Sequence, residues 1–407
     1  MPLIKPFAGL RPVVDRAADV LAPPYDVLNS VEARERVQGK PMSFLHISKA
    51  EIDLPGNIDP YDPRVYAKSA ENLQKLIQQS VLMRDAQPCY YAYRLTMGKH
   101  VQTGLVCVAS VKDYDSNRIR KHEFTRPAKE DDRVRQITAL NAQTGPVLLA
   151  YKSQTDMDAL LHSVTRVAPL YDIQADDGIG HAFWVIDNAD LIEKISKIVD
   201  AMPNLYIADG HHRSAAASRI AKTKGGGEHA MSQYFLAVVF PHNQMKILDY
   251  NRVVKDLNGL SKAAFLEQVA KQFNCTEHQG IMQPRQAGEF GMYLDGRWYK
   301  LTIKPGLTPA DPVKKLDVSL LADHLLQPIL GINDPRTDNR IDFIGGMRGL
   351  KELEKRVNSG EMAVAFAMFA TSMNDLMAVA DSNQVMPPKS TWFEPKLADG
   401  LVSHVLD

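Results

Sequence analysis

The sequence predicts an α/β protein in which mixed sheets pack against helices. Three observations carry that reading. Runs rich in β-branched and aromatic residues recur at 89–95, 102–111 and 233–240. Tyr66, Ala70, Leu73 and Ile77 repeat at helical spacing. Finally, the apolar strand Leu205-Tyr-Ile-Ala208 runs through Asp209-Gly210 into an alanine-rich helix over 214–222, the junction of an α/β layer.

The elements follow in order. Pro23-Pro24-Tyr25-Asp26-Val27 is a stiff loop, because each proline fixes its own φ and biases the residue before it away from helix. A short helix follows, with Asn29 and Glu32 spaced as a capping box and Gly39 with Pro41 as its stop. Phe44 to Ile47 reads as a strand. Asp62 caps the next helix and Pro63 suits its first turn. The runs 89–95 and 102–111 flank Gly98 as a hairpin, and 112–137 is densely polar. Pro146 to Tyr151 is a strand, and a helix-rich stretch leads to residue 200. The helix over 214–222 stops at Gly225-Gly-Gly227, and Gln233 to Phe240 is a buried strand.

Beyond a soft boundary near 245, Met245 to Val254 and Phe290 to Ile303 read as β, the latter turning at Asp295-Gly296. Residues 315–328 and 349–358 read as helices, and Met362 to Ala370 is wholly apolar. Two domains are expected: 1–245, carrying a nucleotide or phosphate site, and 246–407, a second α/β domain or a completion of the first.

Of the 407 residues, 45% are hydrophobic and 24% charged, as in an ordinary globular protein. The 48 Lys and Arg balance 48 Asp and Glu, which excludes a long nucleic-acid footprint or an anionic membrane held by bulk charge. Cys89, Cys107 and Cys275 have no paired spacing, so neither a disulfide framework nor a cysteine zinc site is expected. With no signal-like start and no membrane-length apolar run, a cytoplasmic protein is expected, its oligomeric state left open.

The string Asp209-Gly210-His211-His212-Arg213 holds the most chemistry. A strand-turn-helix junction presents unpaired N–H groups and the positive end of a helix dipole to an anion. Gly210 lets a phosphate approach the backbone, Arg213 can fork onto its oxygens, both imidazoles can donate, and Asp209 can hold a metal or orient a histidine. A simple helix cap with surface histidines would need fewer such groups. Adjacent His211 and His212 do not share a face, and no third ligand sits at zinc-motif spacing.

Pro-Pro-Tyr-Asp at 23–26, Lys-His-Glu-Phe-Thr-Arg with Lys-Glu-Asp-Asp-Arg at 121–133, Ala-Asp-Gly-His-His-Arg at 208–213 and Arg-Ile-Asp-Phe-Ile-Gly-Gly at 340–346 occur together. Over nearly the whole chain they resemble a bacterial and archaeal family known as a conserved domain of unknown function. The strand-Asp-Gly-His-x-Arg-helix element is also similar to the phosphate-binding box of the ParB/sulfiredoxin superfamily, one branch of which phosphorylates free L-serine. That resemblance implies a ParB/sulfiredoxin-like core with elaborations, and it carries over onto Asp209, Gly210, His211 and Arg213.

With that resemblance, Arg118 to Arg135 reads either as a solvated helix with an Arg126–Glu130 pair or as a loop closing over nucleotide phosphates. In the second reading His122, Arg126, Lys129 and Arg133, joined by Lys389 of the Pro387-Pro388-Lys389-Ser390 loop, neutralise charge. Asp209 and Glu123 would hold Mg²⁺. Either Glu123 or Asp26 can serve as the base of a phosphoryl transfer, and the sequence does not choose. Asp342 reads as structural, and the glycines at 345–346 lack a dinucleotide or P-loop spacing. The expected function is transfer of a phosphoryl group from ATP or ADP to a small hydroxylated metabolite, free L-serine first. The alternatives are a nucleotide-sensing, DNA-associated module or a phosphate-ester hydrolase.

Overall fold

A computed structural model describes all 407 residues and divides them into two compact units. Met1–Met245 and Pro395–Asp407 form the first, and Lys246–Glu394 the second. The stretch 246–407 is therefore not one unit. Lys246–Leu248 pairs antiparallel with Trp392–Glu394, which brings the two crossing points of the chain together. Beyond them, Asp399 and Ser403 bridge to Ala22 and Leu10, so the C-terminal end completes the first unit.

The main sheet of the first unit contains β1 (Ile4–Lys5), β2 (Tyr90–Met97), β3 (His100–Ser110), β4 (Ile119–Arg120), β5 (Val147–Tyr151), β6 (Tyr171–Gln174), β7 (Ile179–Ile186), β8 (Leu205–Asp209) and β9 (Tyr234–Pro241). Its order is β4-β8-β5-β9-β3-β2-β7-β6, with β1 beside β3. The pairs β4–β8 and β5–β9 are parallel and the rest antiparallel. Around it lie α1 (Ser30–Arg36), α2 (Leu45–Ser48), α3 (Pro63–Gln78), α4 (Pro127–Leu140), α5 (Thr155–Val164), α6 (Ala189–Asp200) and α7 (His211–Lys224).

Local chemistry accounts for the starts of several elements. Asn29 and Glu32 form the expected capping box of α1, and Asp62 accepts the Arg64 N–H at the start of α3. Gly98, at φ +59°, turns the chain between β2 and β3. Every residue of β9 is buried, and Phe235, Ala237 and Val239 point to one face with Leu105, Cys107, Leu149 and Ile207. Ala217 and Ala221 of α7 pack on that same face, their small side chains letting the helix lie close to the sheet.

Four expectations change. Phe44 to Ile47 is not a strand: Leu45–Ser48 is helical, and Phe44, Leu45 and Ile47 pack in one cluster with Leu73 and Leu76. Three apolar residues in a stretch of four carry no period that separates strand from helix. The helix-rich stretch leading to residue 200 holds α5 and α6 but also the strands β6 and β7, which pair between them. The polar segment 112–137 resolves into α4 from Pro127, whose buried face includes Asp132, Gln136, Ile137 and Leu140. Helix α7 begins at His211 rather than Ser214, which puts His211 to Arg213 of the motif inside the first helical turn.

The second unit holds a six-stranded sheet, antiparallel throughout, in which Val364–Ala367 runs between Glu289–Leu294 and Tyr250–Val254. The helix expected over 315–328 is Asp317–Leu321 running into a π-helical turn, Ala322–Leu326. No helix of the chain is long and apolar enough to cross a membrane.

Candidate functional site

The site grows from the end of β8. Its register against β5 slips between Ile207 and Asp209, a bulge that turns the Asp209 side chain away from simple alternation. Gly210 follows at φ +100°, a left-handed conformation costly for any residue with a Cβ. A Cβ there would also lie 3.1 Å from Arg213 Nε and 3.3 Å from Val147 Cα. The Gly210 carbonyl accepts the N–H groups of Arg213 and Ser214, at 2.9 and 3.1 Å. The N–H groups of His211 and His212, ahead of them in the first turn, have no intrahelical acceptor.

Asp209 anchors the junction. Its Oδ1 accepts the Gly210 N–H at 3.0 Å, and its Oδ2 lies 3.4 Å from Arg213 Nη2 and 3.5 Å from Lys396 Nζ. Burial opposes ionisation of this carboxyl, but Lys396, Arg213 and the His211 ring outweigh it and hold its pKa far below the usual range. Arg213 also donates through Nη1 to the Pro146 carbonyl.

The two histidines act differently from expectation. His212 Nε2 accepts the Arg126 N–H at 3.0 Å, and His211 Nε2 accepts the His122 N–H at a long 3.4 Å. Through Nε2 the two imidazoles thus clamp the segment 122–126 against α7. His122 and His211 pack edge to face with ring centroids 4.5 Å apart. Burial pushes His122 down to about 4; burial, then the His122 ring, drives His211 well below its ordinary value. Glu123, more than half exposed, brings Oε2 to 3.8 Å from His211 Nδ1.

Beside Arg213 lies a cavity of about 30 Å³, room for a water or two, lined in part by Tyr25, Arg133, Gln143, Thr144 and Asp399. The Arg133 guanidinium lies 3.9 Å from the Tyr25 ring centroid and forks onto Asp132 Oδ2 at 2.9 and 2.7 Å. Asp132 Oδ1 accepts the Tyr66 hydroxyl at 2.9 Å. Asp399, 2% exposed, is pushed up to about 7 by burial, against the pull of Arg213 and Arg133. The stiff Pro23-Pro24 loop is tied to this residue, because Ala22 and Asp399 exchange backbone hydrogen bonds at 2.9 and 3.1 Å. Asp26, on the exposed side of that loop, adds its charge to Arg213 and Asp399.

The sequence-predicted residues therefore fall into groups. Asp26, Arg133, Asp209, Gly210 and Arg213 converge with His122, Glu123, His211 and His212 at the head of α7. Arg126 contributes its N–H through the loop clamp, whereas the Lys129 ammonium goes to the Tyr61 hydroxyl at 2.8 Å. Glu130 pairs with Arg219 at 3.4 Å and accepts the Thr125 hydroxyl, so the expected Arg126–Glu130 pair is not what holds this helix. Lys389 belongs to the second unit, its ammonium 5.5 Å from the Tyr250 ring centroid. Lys396 and Asp399 escaped the sequence reading. Their one signal is Ala398-Asp399-Gly400, the same tripeptide as Ala208-Asp209-Gly210.

The expected Mg²⁺ pair does not fit these residues. Asp209 already faces two cations, and Glu123 stands with two imidazoles, nitrogen donors that Mg²⁺ does not favour.

Solved structures with a similar chain path are distant. A free serine kinase in complex with AMP is 14% identical, with a TM-score of 0.34 over 71% of this chain and 86% of that one. A conserved hypothetical protein from Pyrococcus furiosus is 15% identical, with a TM-score of 0.33 over 72% and 94%. SbnI from Staphylococcus aureus, truncated at its C-terminus, is 12% identical, with a TM-score of 0.38 over 72% and 84%. No curated protein matches the chain. The family model described as a protein of unknown function (DUF1015) matches residues 4–319, and the chain belongs to that family.

Proposed function

We propose that the chain is a phosphotransferase that moves a phosphoryl group from ATP or ADP to a small hydroxylated metabolite, with free L-serine as the acceptor. The observation that carries this reading is the Gly210 junction. There, a left-handed glycine opens the head of α7, two first-turn backbone N–H groups have no acceptor within the helix, and Arg213 and Lys396 supply positive charge. In the transfer, the nucleotide's terminal phosphates lie on the N–H groups of His211 and His212. Most of the catalysis then comes from positioning and charge neutralisation.

The cavity beside Arg213 holds only a water or two, so a zwitterionic acceptor lies at its mouth, its carboxylate toward Arg213 and its ammonium group toward the exposed Asp26. Asp26 is solvent-accessible, sits on a stiff loop and acts on both Arg213 and Asp399, which favours it over Glu123 as the base. It takes the acceptor's hydroxyl proton as that oxygen attacks the terminal phosphorus, and ADP or AMP leaves. Any Mg²⁺ travels with the nucleotide's phosphates rather than in a protein-built cage.

The purified chain given ATP or ADP, Mg²⁺ and L-serine should yield O-phosphoserine, read by phosphorus NMR. Arg213→Ala should lower kcat/KM by at least about a hundredfold, the scale of losing a transition-state charge donor. Asp26→Asn should lower kcat by about 10²–10⁴-fold with little change in nucleotide affinity. Failure to consume either nucleotide with any hydroxylated amino acid would overturn the proposal.

A further inference from the structure

The loop after β4 and the head of α7 bring together three groups that could share one ion. His122, Glu123 and His211 each offer one ligating atom, and those atoms all lie within 4.8 Å of one another. Glu123 is the member whose side chain reaches solvent and can adjust, whereas His122 and His211 are 2% and 4% exposed.

A second observation comes from the His122 ring itself. One ring nitrogen donates to the Ile207 carbonyl, and Nδ1 is buried with no hydrogen-bond partner. A neutral imidazole has one N–H and one lone pair, so the donor is Nε2–H and the sealed nitrogen, Nδ1, carries the lone pair. Buried lone pairs are normally matched by a donor. A histidine whose N–H is fixed by a backbone carbonyl while its other nitrogen stands unpartnered has the outer-shell arrangement of a metal ligand. The long contact from His122 N–H to His211 Nε2 is the one bond that ligation would give up.

We propose that His122, Glu123 and His211 form a binding site for a borderline transition-metal dication of the Zn²⁺ class. Two imidazole nitrogens and one carboxylate oxygen are a three-ligand set that leaves a coordination position for water or an anionic oxygen. His211 is also the first residue of α7, so the site borders the Gly210 junction. The site thus selects against Mg²⁺. The inference does not rest on the phosphotransferase reading, since it follows from the donor set and the unpartnered His122 Nδ1.

The test uses the full chain, stripped of metal and titrated with Co²⁺ or Zn²⁺ alone. One ion should bind per chain, with visible d–d absorption for Co²⁺ and no competition from excess Mg²⁺. His122→Gln should weaken Co²⁺ binding at least about tenfold, with its fold checked by circular dichroism. Should that variant misfold, Glu123→Gln on the exposed member should still weaken binding and change the cobalt spectrum. No bound ion, equal binding of Mg²⁺, or a Glu123→Gln chain that binds as the parent does would overturn the proposal. Affinity for ADP, measured on both the metal-free and the metal-loaded chain, separates the two readings: no ADP binding in either form counts against the phosphotransferase and leaves the metal site standing.

Discussion

Gly210 holds a backbone conformation that a side chain shares only at a cost of about 1–2 kcal/mol, and it does so where Arg213 and Val147 crowd the position of a Cβ. Gly39, at φ +74° with nothing within 4 Å of a would-be Cβ, carries the conformation without the crowding. Gly39→Ala and Gly210→Ala should both lower stability in urea, but only the second should also lower ADP affinity, measured by calorimetry. Asp399 gives a pH test. Its folded pKa of about 7 lies above its ordinary 3.8, so between those values the native state holds a proton that the unfolded chain releases. The stability this contributes is full below that window and is lost as pH rises through about 7. Asp399→Asn does not titrate, so its stability relative to the parent should rise from about pH 4 to about pH 7; a flat difference would contradict the buried, protonated carboxyl. Asp209 to Arg213 was legible because convergent polar groups directly follow an apolar strand. Lys396 and Asp399 were not, because they reach the same site from the far end of the chain through bridges such as Ala22 to Asp399 that no local pattern announces.

Between elements, the clamp of 122–126 on α7 joins the two polar motifs of the sequence. The Arg126 N–H that His212 accepts stands just before Pro127, the first residue of α4, so His212 also sets where that helix begins. His212→Ala removes the acceptor, and hydrogen exchange of the Arg126 amide should speed up while amides of the buried strand β9 stay protected. Uniform acceleration would mean that the histidine supports the whole unit instead. The sequence showed the hairpin β2–β3, the strand β9 and the capped helices α1 and α3, because alternation, glycine turns and caps are local signals. It missed the hairpin β6–β7 and the helix Leu45–Ser48, where short apolar runs carry no resolvable period and tertiary packing decides. The early start of α7 was hidden for a related reason: His211, His212 and Arg213 read as loop chemistry, yet each can occupy a helical first turn.

At the scale of the whole chain, balance conceals segregation. The 48 basic and 48 acidic residues cancel, yet Arg118 to Arg135 holds seven Lys or Arg against four Asp or Glu. Part of that excess is structural, as with Arg118, which donates to the carbonyls of Asp200 and Met202. What remains at the site comes from separate regions of the first unit: Arg133 from α4, Arg213 from α7 and Lys396 from the returning C-terminal end. A domain reading that ran unbroken from 246 to 407 could not foresee this, because a chain that leaves a unit and returns to it shows no composition shift at the return. The most direct measurement is a crystal structure of the chain with ADP. Phosphate oxygens within hydrogen-bond distance of the His211 and His212 N–H groups, with Arg213 or Lys396 against the same phosphates, are the expected result. Phosphates bound elsewhere, with Gly210 to Arg213 left untouched, would contradict the assignment.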